Sequence, residues 1–587
     1  MKWLLAGLGL LALLALATPA AAERPDQCVA CHRGIEEAHP KKTLPCTTCH
    51  RGDARAADER TAHAGMYANP SDLRVVDRTC GTSGCHQTIA QRVKANIMAH
   101  RAGTQSGTLF PNGMRPTKED ERFSMAPEPT TPWPPHAKGQ PLPVGALARL
   151  DPLPSFKESN NVFFDLLRKE CASCHLWSQP RGFKGNFRAT GCAACHMPYA
   201  EDGKSRSGDR IVPASKVGRP IKHQLTTQIP VTQCATCHNG ASRAAMNFRG
   251  MMEAPPAGKE TFSYDQDLLH GHVYTQQQAD VHYERGMTCV DCHTEREMHG
   301  DGQIYAKRHY EVELRCETCH GTPDKLATGV TAQGRKLRNL FVPAGVNATG
   351  LVTLISKSTG KVHTVPQLAA LAKQPAGHEA THLQKTECFT CHSAWVPTCY
   401  GCHIRMDYTA YKAPLDTAFD FMTNQHSKQG WFKPSAGVRF ADPEPVLGLN
   451  WRGKVVPFVP RAQPLFTYVN AAGQTEYDYK KLGFAHNPIV PHTVVRGSRT
   501  CESCHANPRA LGLGQFTTKQ HPKLELFRQA PDFLWDRIVD EEGRPVQVTT
   551  VEGARPLNKA EMERIRNAPY KLEAPRRQAA TPGGGTR

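Results

Sequence analysis

The chain has 587 residues, among them 22 cysteines and 28 histidines, and a formal net charge of +18. A pI near 9.1 would ordinarily indicate a nucleic-acid or acidic-membrane partner, but no aromatic-basic motif accompanies the charge, which disfavours nucleic acid. Hydrophobic residues make up 39% of the chain and there are 45 prolines, so the composition predicts much loop and little sheet.

The first 22 residues predict a secretory signal peptide. Lys2 precedes an apolar run, Leu4–Ala17, and the small residues Ala20–Ala22 precede the expected cleavage before Glu23. No later segment has the run of apolar residues that spans a bilayer. The sequence therefore predicts a mature chain without a transmembrane segment, in the periplasm or outside the cell.

All the cysteines belong to one type of motif, in which a histidine follows the second of two closely spaced thiols. Random placement would give roughly 0.04 C-x-x-C-H motifs in such a chain, so chance is excluded. Ten sites have this spacing, and an eleventh, at Cys80, has two extra residues, including Gly81 and Gly84, between its thiols. In chain order the sites are Cys28/Cys31/His32, Cys46/Cys49/His50, Cys80/Cys85/His86, Cys171/Cys174/His175, Cys192/Cys195/His196, Cys234/Cys237/His238, Cys289/Cys292/His293, Cys316/Cys319/His320, Cys388/Cys391/His392, Cys399/Cys402/His403 and Cys501/Cys504/His505. We number them motifs 1 to 11.

Paired thiols at this spacing can hold a zinc ion, form a disulfide or attach a haem. Zinc ribbons and disulfides do not require a histidine after every second cysteine, whereas in C-x-x-C-H the sulfurs bind the porphyrin and the imidazole binds its iron. The sequence thus predicts eleven covalently attached haems c. Their 22 propionates would bring the mature chain to about −5 with ferrous irons and about +6 with ferric irons, so the basic residues are mostly counterions.

About 51 residues per haem are too few to wrap each cofactor in its own domain. We therefore predict a mainly α and irregular fold cored by haems, with small β-rich inserts. Two segments predict hairpins, at 351–368 and 465–480, and 556–568 predicts a C-terminal helix before a disordered tail. The predicted regions are a signal peptide (1–22), a trihaem region (23–125), a Pro-rich linker (126–165), a pentahaem region (166–330), an insert with a hairpin (331–387), a dihaem pair (388–403), a haem-free aromatic β-rich insert (404–500), and the last haem with the helix and tail (501–587).

The aromatic-rich insert, 404–500, allows two interpretations. It could simply cover haem edges, or it could serve as a docking or substrate-gating module.

Seventeen further histidines could fill the sixth position of each iron. Of those that we predict as ligands, six lie six to eleven residues before a first cysteine, and the others stand in compact contexts. We predict that eleven are distal iron ligands: His39, His63, His100, His223, His272, His282, His299, His309, His382, His426 and His492. Six are weaker candidates: His136, His270, His363, His378, His486 and His521.

With these motifs, the chain resembles the bacterial multihaem c-type cytochromes over its mature length. It also has a broad likeness to the hydroxylamine oxidoreductase and octahaem tetrathionate reductase group, but it has eleven sites rather than eight, no lone cysteine and no C-x-x-C-K motif. The resemblance implies closely packed haems that act as electron conduits or as multi-electron enzymes.

Two functions follow as expectations. The first is an electron carrier of anaerobic-type respiration, between a quinol-oxidising membrane complex and a terminal acceptor. The second is an oxidoreductase that acts on a small nitrogen or sulfur compound at one five-coordinate haem. The surplus of histidines favours the first, and whether the chain is an enzyme stays open.

Overall fold

In the computed structural model, the described residues lie between 26 and 570. Internal gaps fall at 156, 160, 214, 241–243, 255–266, 344–350, 372–376, 401–402, 410–418, 427–429, 436–437, 462–464, 482–484 and 517–533. The predicted signal peptide, the C-terminal tail and the candidate ligand His521 are outside the described residues.

The helices are short, and many are single turns around a C-x-x-C-H motif. One turn suffices because it places the two cysteines and the histidine on one side. The α-helices are α1 (Gln27–Cys31), α2 (Cys46–His50), α3 (Glu59–Ala62), α4 (Gln87–Ala95), α5 (Ile97–His100), α6 (Ala102–Leu109), α7 (Val162–Lys169), α8 (Ala193–His196), α9 (Val231–Ala235), α10 (Ala244–Phe248), α11 (Val281–Glu284), α12 (Cys289–Cys292), α13 (Glu295–His299), α14 (Cys316–His320), α15 (Ala380–Lys385), α16 (Cys388–His392), α17 (Glu502–His505) and α18 (Lys559–Asn567).

The strands are also short and are concentrated after residue 395. They are β1 (Phe123–Ser124), β2 (Ala146–Leu147), β3 (Asp151–Pro152), β4 (Met251–Ala254), β5 (Val273–Gln276), β6 (Ile304–Tyr305), β7 (Leu340–Phe341), β8 (Thr353–Ile355), β9 (Val362–Thr364), β10 (Val396–Tyr400), β11 (His403–Asp407), β12 (Phe419–Asp420), β13 (Gln425–His426), β14 (Trp431–Ser435), β15 (Val438–Asp442), β16 (Val446–Leu449), β17 (Val455–Arg461), β18 (Leu465–Val469), β19 (Thr475–Lys481), β20 (Ala485–Pro488) and β21 (Arg555–Pro556).

The prediction of a mainly α fold is wrong. Only 25% of the structure is helical and 17% is strand, with many small sheets and a half-barrel. The physical reason is the shortness of the motif helices, since the segments between them have no long amphipathic period and run as turns and extended chain. Two four-stranded sheets, ordered β14-β11-β18-β19 and β20-β17-β16-β21, form within the segment predicted as an aromatic insert and its neighbours.

Both predicted hairpin segments contain paired strands. β8 and β9 are antiparallel, with Ile355 opposite Val362, and β18 and β19 are antiparallel around the turn at Asn470. β11 lies between β14 and β18 and pairs in parallel with β18. The predicted C-terminal helix is α18, which Asn558 caps through its side chain.

The apolar core is divided into separate clusters rather than gathered in one centre. The largest clusters join α7 to β11 and β18 through Phe163, Met406 and Phe466, and β16 and β17 to Ile538 and Met562. Several smaller clusters include motif cysteines. The division agrees with a chain in which something other than aliphatic side chains fills the spaces between clusters.

No helix among the described residues is long and apolar enough to cross a membrane. The absence of a transmembrane helix predicted from the sequence therefore agrees with this part of the chain.

Candidate functional site

Most motifs adopt the same local structure. In motif 8, for example, Cys316 begins α14 and His320 ends it, so both thiols and the imidazole share one helical turn. Motif 3 closes its longer loop with a hydrogen bond from the His86 amide to the Cys80 carbonyl, and Gly84 has a left-handed φ of 83°.

Motif 6 departs from this pattern at its second thiol. Its helix α9 ends at Ala235, before Cys237, and the Asn239 side chain donates to the Ala235 and Thr236 carbonyls at the end of the helix. The His238 amide donates to the Cys234 carbonyl at 3.0 Å. His238 is exposed, as is His86 of motif 3. Iron ligation by His238 stays a prediction.

Motif 10 departs in a different way. Cys399 lies in β10 and His403 begins β11, while Cys402 is outside the described residues. Nε2 of His403 lies 2.9 Å from Thr467 Oγ1 on the neighbouring strand β18. The atom that would bind iron thus carries a hydrogen bond here, and its ligation also stays a prediction.

Eight motif histidines each face one histidine from outside the motifs. In every case the two ring centroids are close to 6 Å apart. The pairs are His32–His63 (6.2 Å), His86–His39 (6.3 Å), His50–His223 (5.8 Å), His196–His299 (5.9 Å), His320–His282 (6.2 Å), His293–His492 (6.3 Å), His392–His378 (5.9 Å) and His505–His382 (6.1 Å).

This separation is that of two imidazoles on opposite sides of one metal ion. A bond from a metal to an imidazole nitrogen is about 2.0 Å, and the nitrogen lies about 1.1 Å from its ring centroid, so two such ligands have centroids about 6.2 Å apart. Imidazoles in direct stacking contact would lie closer. The pairs therefore fit a haem iron between them.

Hydrogen bonds fix the tautomer of the motif histidines. Seven of them use Nδ1 to contact a carbonyl or carboxylate oxygen, which leaves Nε2 as the atom that can bind a metal. The acceptors are Asp209 for His32, Tyr67 for His50, Thr226 for His196, Glu297 for His293, Pro366 for His320, Gly497 for His392 and Ile565 for His505.

The facing histidines show the same pattern. Nδ1 of His282 lies 2.8 Å from Asp280 Oδ1, Nδ1 of His492 lies 2.9 Å from the Val490 carbonyl, and Nδ1 of His382 lies 3.1 Å from Glu379 Oε2. Both members of these pairs thus direct Nε2 away from the hydrogen-bonded side, which is the arrangement that ligand imidazoles have in metal sites.

Of the eleven histidines predicted as distal ligands, the structure brings seven to a motif histidine. An eighth facing histidine, His378, is one of the six weaker candidates from the sequence, although it lies ten residues before Cys388. Its position before a first cysteine was the signal that could have found it. The acceptors of the Nδ1 bonds, such as Asp209, have no sequence signal because they come from distant parts of the chain.

The other four predicted ligands have different surroundings. His100 is fully buried, His309 stacks at 4.4 Å on Trp451, and His426 lies 5.1 Å from Phe419. Nδ1 of His272 lies 3.2 Å from Glu253 Oε1. The weaker candidate His136 bonds Gln303, and His486 bonds Gln547. These environments depend on tertiary packing, which spacing in the sequence does not encode.

The motif thiols are held mostly in apolar surroundings. Burial raises the pKa of Cys192 and Cys391 to about 12 and that of Cys319 to about 11. One group of described residues has potential metal-ligand atoms within 4.8 Å of one another. It consists of Asp26, Cys28 and Cys46.

Nine of the motifs form a continuous series in space that follows chain order. Cys80 and Cys192 pack on one apolar cluster, Cys234 and Cys289 on another, and Cys292 and Cys319 on a third. The other links are contacts between residues in or beside two motifs. Cys28 lies close to Cys46, and the Cys316 thiol contacts the Cys388 thiol. Three hydrogen bonds complete the series: the Arg51 guanidinium donates to the Arg78 carbonyl, the Gln233 side chain to the Ala194 carbonyl, and the Arg499 amide to the Cys391 carbonyl. Motifs 1, 2, 3, 5, 6, 7, 8, 9 and 11 are thereby connected in that order.

Comparison with protein-family models, with curated proteins and with solved structures gives no match to this chain.

Proposed function

We propose that this chain is a multihaem c-type cytochrome that carries electrons through eleven covalently attached haems. The eight facing histidine pairs, with centroids 5.8–6.3 Å apart, are the observation that carries the proposal. Bound haem supplies one-electron redox chemistry, and the chain supplies thiols for attachment, two imidazoles for most irons, and the hydrogen bonds that orient them.

Conduction is favoured over catalysis by two features of the described residues. Facing imidazoles close both axial positions, which leaves no iron position for a substrate at those eight motifs. Nine of the eleven motifs also approach one another in one series, as a path for electron transfer requires. We propose a periplasmic or extracellular location, a quinol-oxidising membrane complex as donor and a terminal acceptor as the second partner.

The intact mass of the secreted protein tests the haem count. We expect the mass of the chain from Glu23 plus eleven haems, retained after denaturation because thioether bonds are covalent. The variant Cys80→Ala, Cys85→Ala should lose one haem and thereby show that the longer motif is loaded. A mass equal to the chain alone would contradict the proposal.

Ligand binding separates a conduit from an enzyme. The reduced protein should be reoxidised by soluble ferric chelates, while nitrite, hydroxylamine and tetrathionate leave its spectrum unchanged. A substrate-driven reoxidation at a turnover-competent rate would favour the alternative, a multihaem oxidoreductase that acts on a small nitrogen or sulfur compound.

Replacing Asp209 by asparagine should raise the reduction potential of the haem at motif 1. Asp209 is buried and its Oδ2 lies 2.8 Å from His32 Nδ1, so the carboxylate makes the imidazole a stronger donor that favours ferric iron. A redox titration should show one potential shifted upward by roughly tens of millivolts. The control Glu59→Gln, at 4.0 Å from His63 and with a side chain 89% exposed, should cause no shift. Equal shifts in both variants would contradict this role.

A further inference from the structure

Both thiols of motif 6 contact a thiol of another motif. The Cys234 sulfur contacts the sulfur of Cys289 in motif 7, and the Cys237 sulfur contacts that of Cys174 in motif 4. Cys174 and Cys237 also line one cavity together, which agrees with that contact. Motif 6 therefore adjoins motif 7 through one thiol and motif 4 through the other.

Motif 5 is the third neighbour of motif 6. The side chain of Gln233, directly before Cys234, donates to the carbonyl of Ala194, which lies between the two cysteines of motif 5 in the chain. All three contacts are present in the one structure. A motif inside an unbranched series has two neighbours, and motif 6 has three.

Motif 4 leads on to motif 10, the other motif outside the series of nine. Cys171 packs against the apolar cluster that contains Met406 and Phe466, and Ile404 packs against the same cluster. Ile404 directly follows His403 of motif 10 in β11. A shared apolar cluster is also the link that joins motifs 3 and 5, 6 and 7, and 7 and 8. The histidine of motif 10 thus lies beside motif 4.

A second set of contacts joins the first thiol of motif 10 to the cavity. His272 lines the cavity with Cys174, and its Nδ1 lies 3.2 Å from Glu253 Oε1. The Arg439 guanidinium donates to the same oxygen, and both side chains of this ion pair are only 3% exposed. Arg439 lies directly opposite Cys399 in the antiparallel pair of β10 and β15. The chain from Cys174 to Cys399 is therefore continuous and enclosed by protein.

Motif 10 follows motif 9 closely in the sequence, but the backbone carries it away. Cys399 comes eight residues after Cys391, and from Val396 onward the chain is the extended strand β10. At about 3.3 Å per residue, Cys399 lies about 10 Å beyond the start of that strand. The Cys391 carbonyl accepts from the Arg499 amide, two residues before Cys501 of motif 11. Motif 9 thus adjoins motif 11, and motif 10 adjoins motif 4.

We propose that motif 6 is a junction at which motifs 4 and 10 branch from the series of nine, so that the electron path has three ends. The inference rests on the proposed function and deepens it, because it gives a place to the two motifs outside the series. The three ends are motif 1, motif 11 and motif 10. Since β11 begins at motif 10, the third end gives the aromatic-rich insert an electron-carrying site of its own.

Photoreduction from two of these ends tests the branch. Because every native cysteine belongs to a motif, one added cysteine can carry a ruthenium photosensitiser, which passes one electron to the protein on illumination and is restored by an amine donor. Arg55→Cys places the label near motif 1, since the Gln27 amide at the start of α1 donates to the carbonyl of the adjacent Ala54. Arg405→Cys places it two residues after His403 of motif 10, at a side chain that is 42% exposed.

The background His382→Gly marks the far end of the series, motif 11. His382 faces His505, so its loss should give one added high-spin haem whose reduction can be followed separately. A mass without haem, or no added high-spin signal, would contradict the proposed function itself, and the branch with it. An added signal that is reduced from position 55 supports the series and leaves the branch to be decided by the next variants.

Removing motif 4 should affect the two labelled proteins differently. In Cys171→Ala, Cys174→Ala, electrons from position 405 should no longer reach motif 11, whereas electrons from position 55 still should. The matched control Cys80→Ala, Cys85→Ala removes one haem from the other arm and should do the reverse. The transfer that each variant retains shows that it has folded. Without motif 4, retained transfer from position 405 or lost transfer from position 55 would overturn the branch.

A further variant covers the case in which motif 4 is needed for folding. Cys399→Ala, Cys402→Ala removes the end of the branch, so transfer from position 55 to motif 11 should keep its wild-type rate. Intact mass should show that ten haems remain. Loss of that transfer with ten haems bound would put motif 10 in the main path and overturn the proposal.

Discussion

The double variant Cys289→Ala, Cys292→Ala should lose one haem and unfold at a temperature at least about 4 °C lower than the wild-type protein. Cys289 packs on the cluster that includes Val231 and Met246, and Cys292 packs on the cluster that includes Leu354. A haem between the two clusters buries several hundred Å² of apolar surface, so its removal costs about 5 kcal/mol or more. Thermal unfolding followed by circular dichroism measures the effect.

The matched control is the same change at motif 1. Its helix, α1, contains no buried residue, and Cys31 is exposed. The variant Cys28→Ala, Cys31→Ala should also lose one haem by mass but shift the midpoint by no more than about 1 °C. Equal losses of stability in the two variants would show that the haems do not differ in their contribution to the core.

Replacing Arg509 by alanine should lower the free energy of unfolding by about 3–5 kcal/mol. The guanidinium is 2% exposed, its Nε lies 2.7 Å from Asp536 Oδ2, and its terminal nitrogens contact both oxygens of Asp442. Without the arginine, two carboxylates remain buried without their cation. Urea unfolding followed by tryptophan fluorescence or circular dichroism measures the loss.

Two controls define the cause of that loss. Lys at position 509 keeps the charge but not the two parallel hydrogen bonds, so Arg509→Lys should fall between alanine and the wild type. Arg544, whose side chain is 73% exposed beside Asp540, should tolerate alanine without a change in midpoint. A large loss at Arg544, or none at Arg509, would contradict the argument from burial.

The local chemistry of the chain could be predicted from the sequence, because a C-x-x-C-H motif needs only one helical turn to bring its groups together. The facing histidines could be predicted in part. His282 and His382 stand just before a first cysteine, and that position is visible in the sequence, yet they face the histidines of motifs 8 and 11 rather than those of the motifs they precede. The exposure of His238 was equally invisible, since its motif has the same spacing as the others. Pairing and burial are properties of the tertiary fold.

The fold class could not be predicted, for a related reason. Motif helices have four or five residues, too few to establish a helical period, and haems would take the place of the apolar stripes from which longer helices are predicted. The strand content was underestimated because β16 and β17 are short, buried apolar runs. Pro457 and Pro460 also interrupt β17. Proline lowers the strand signal, and here the paired neighbours override it.

Some motif histidines are faced by histidines that lie far along the chain, and this separation affects how the protein would be assembled during export. His223 faces His50 from about 170 residues further along the chain, and His492 faces His293 from about 200 residues further along. A polypeptide that is exported from its N-terminus would therefore carry early haems with only one protein ligand until the later segments emerge. During that interval those irons would be reactive toward small molecules, so rapid delivery of the C-terminal half would protect the nascent chain.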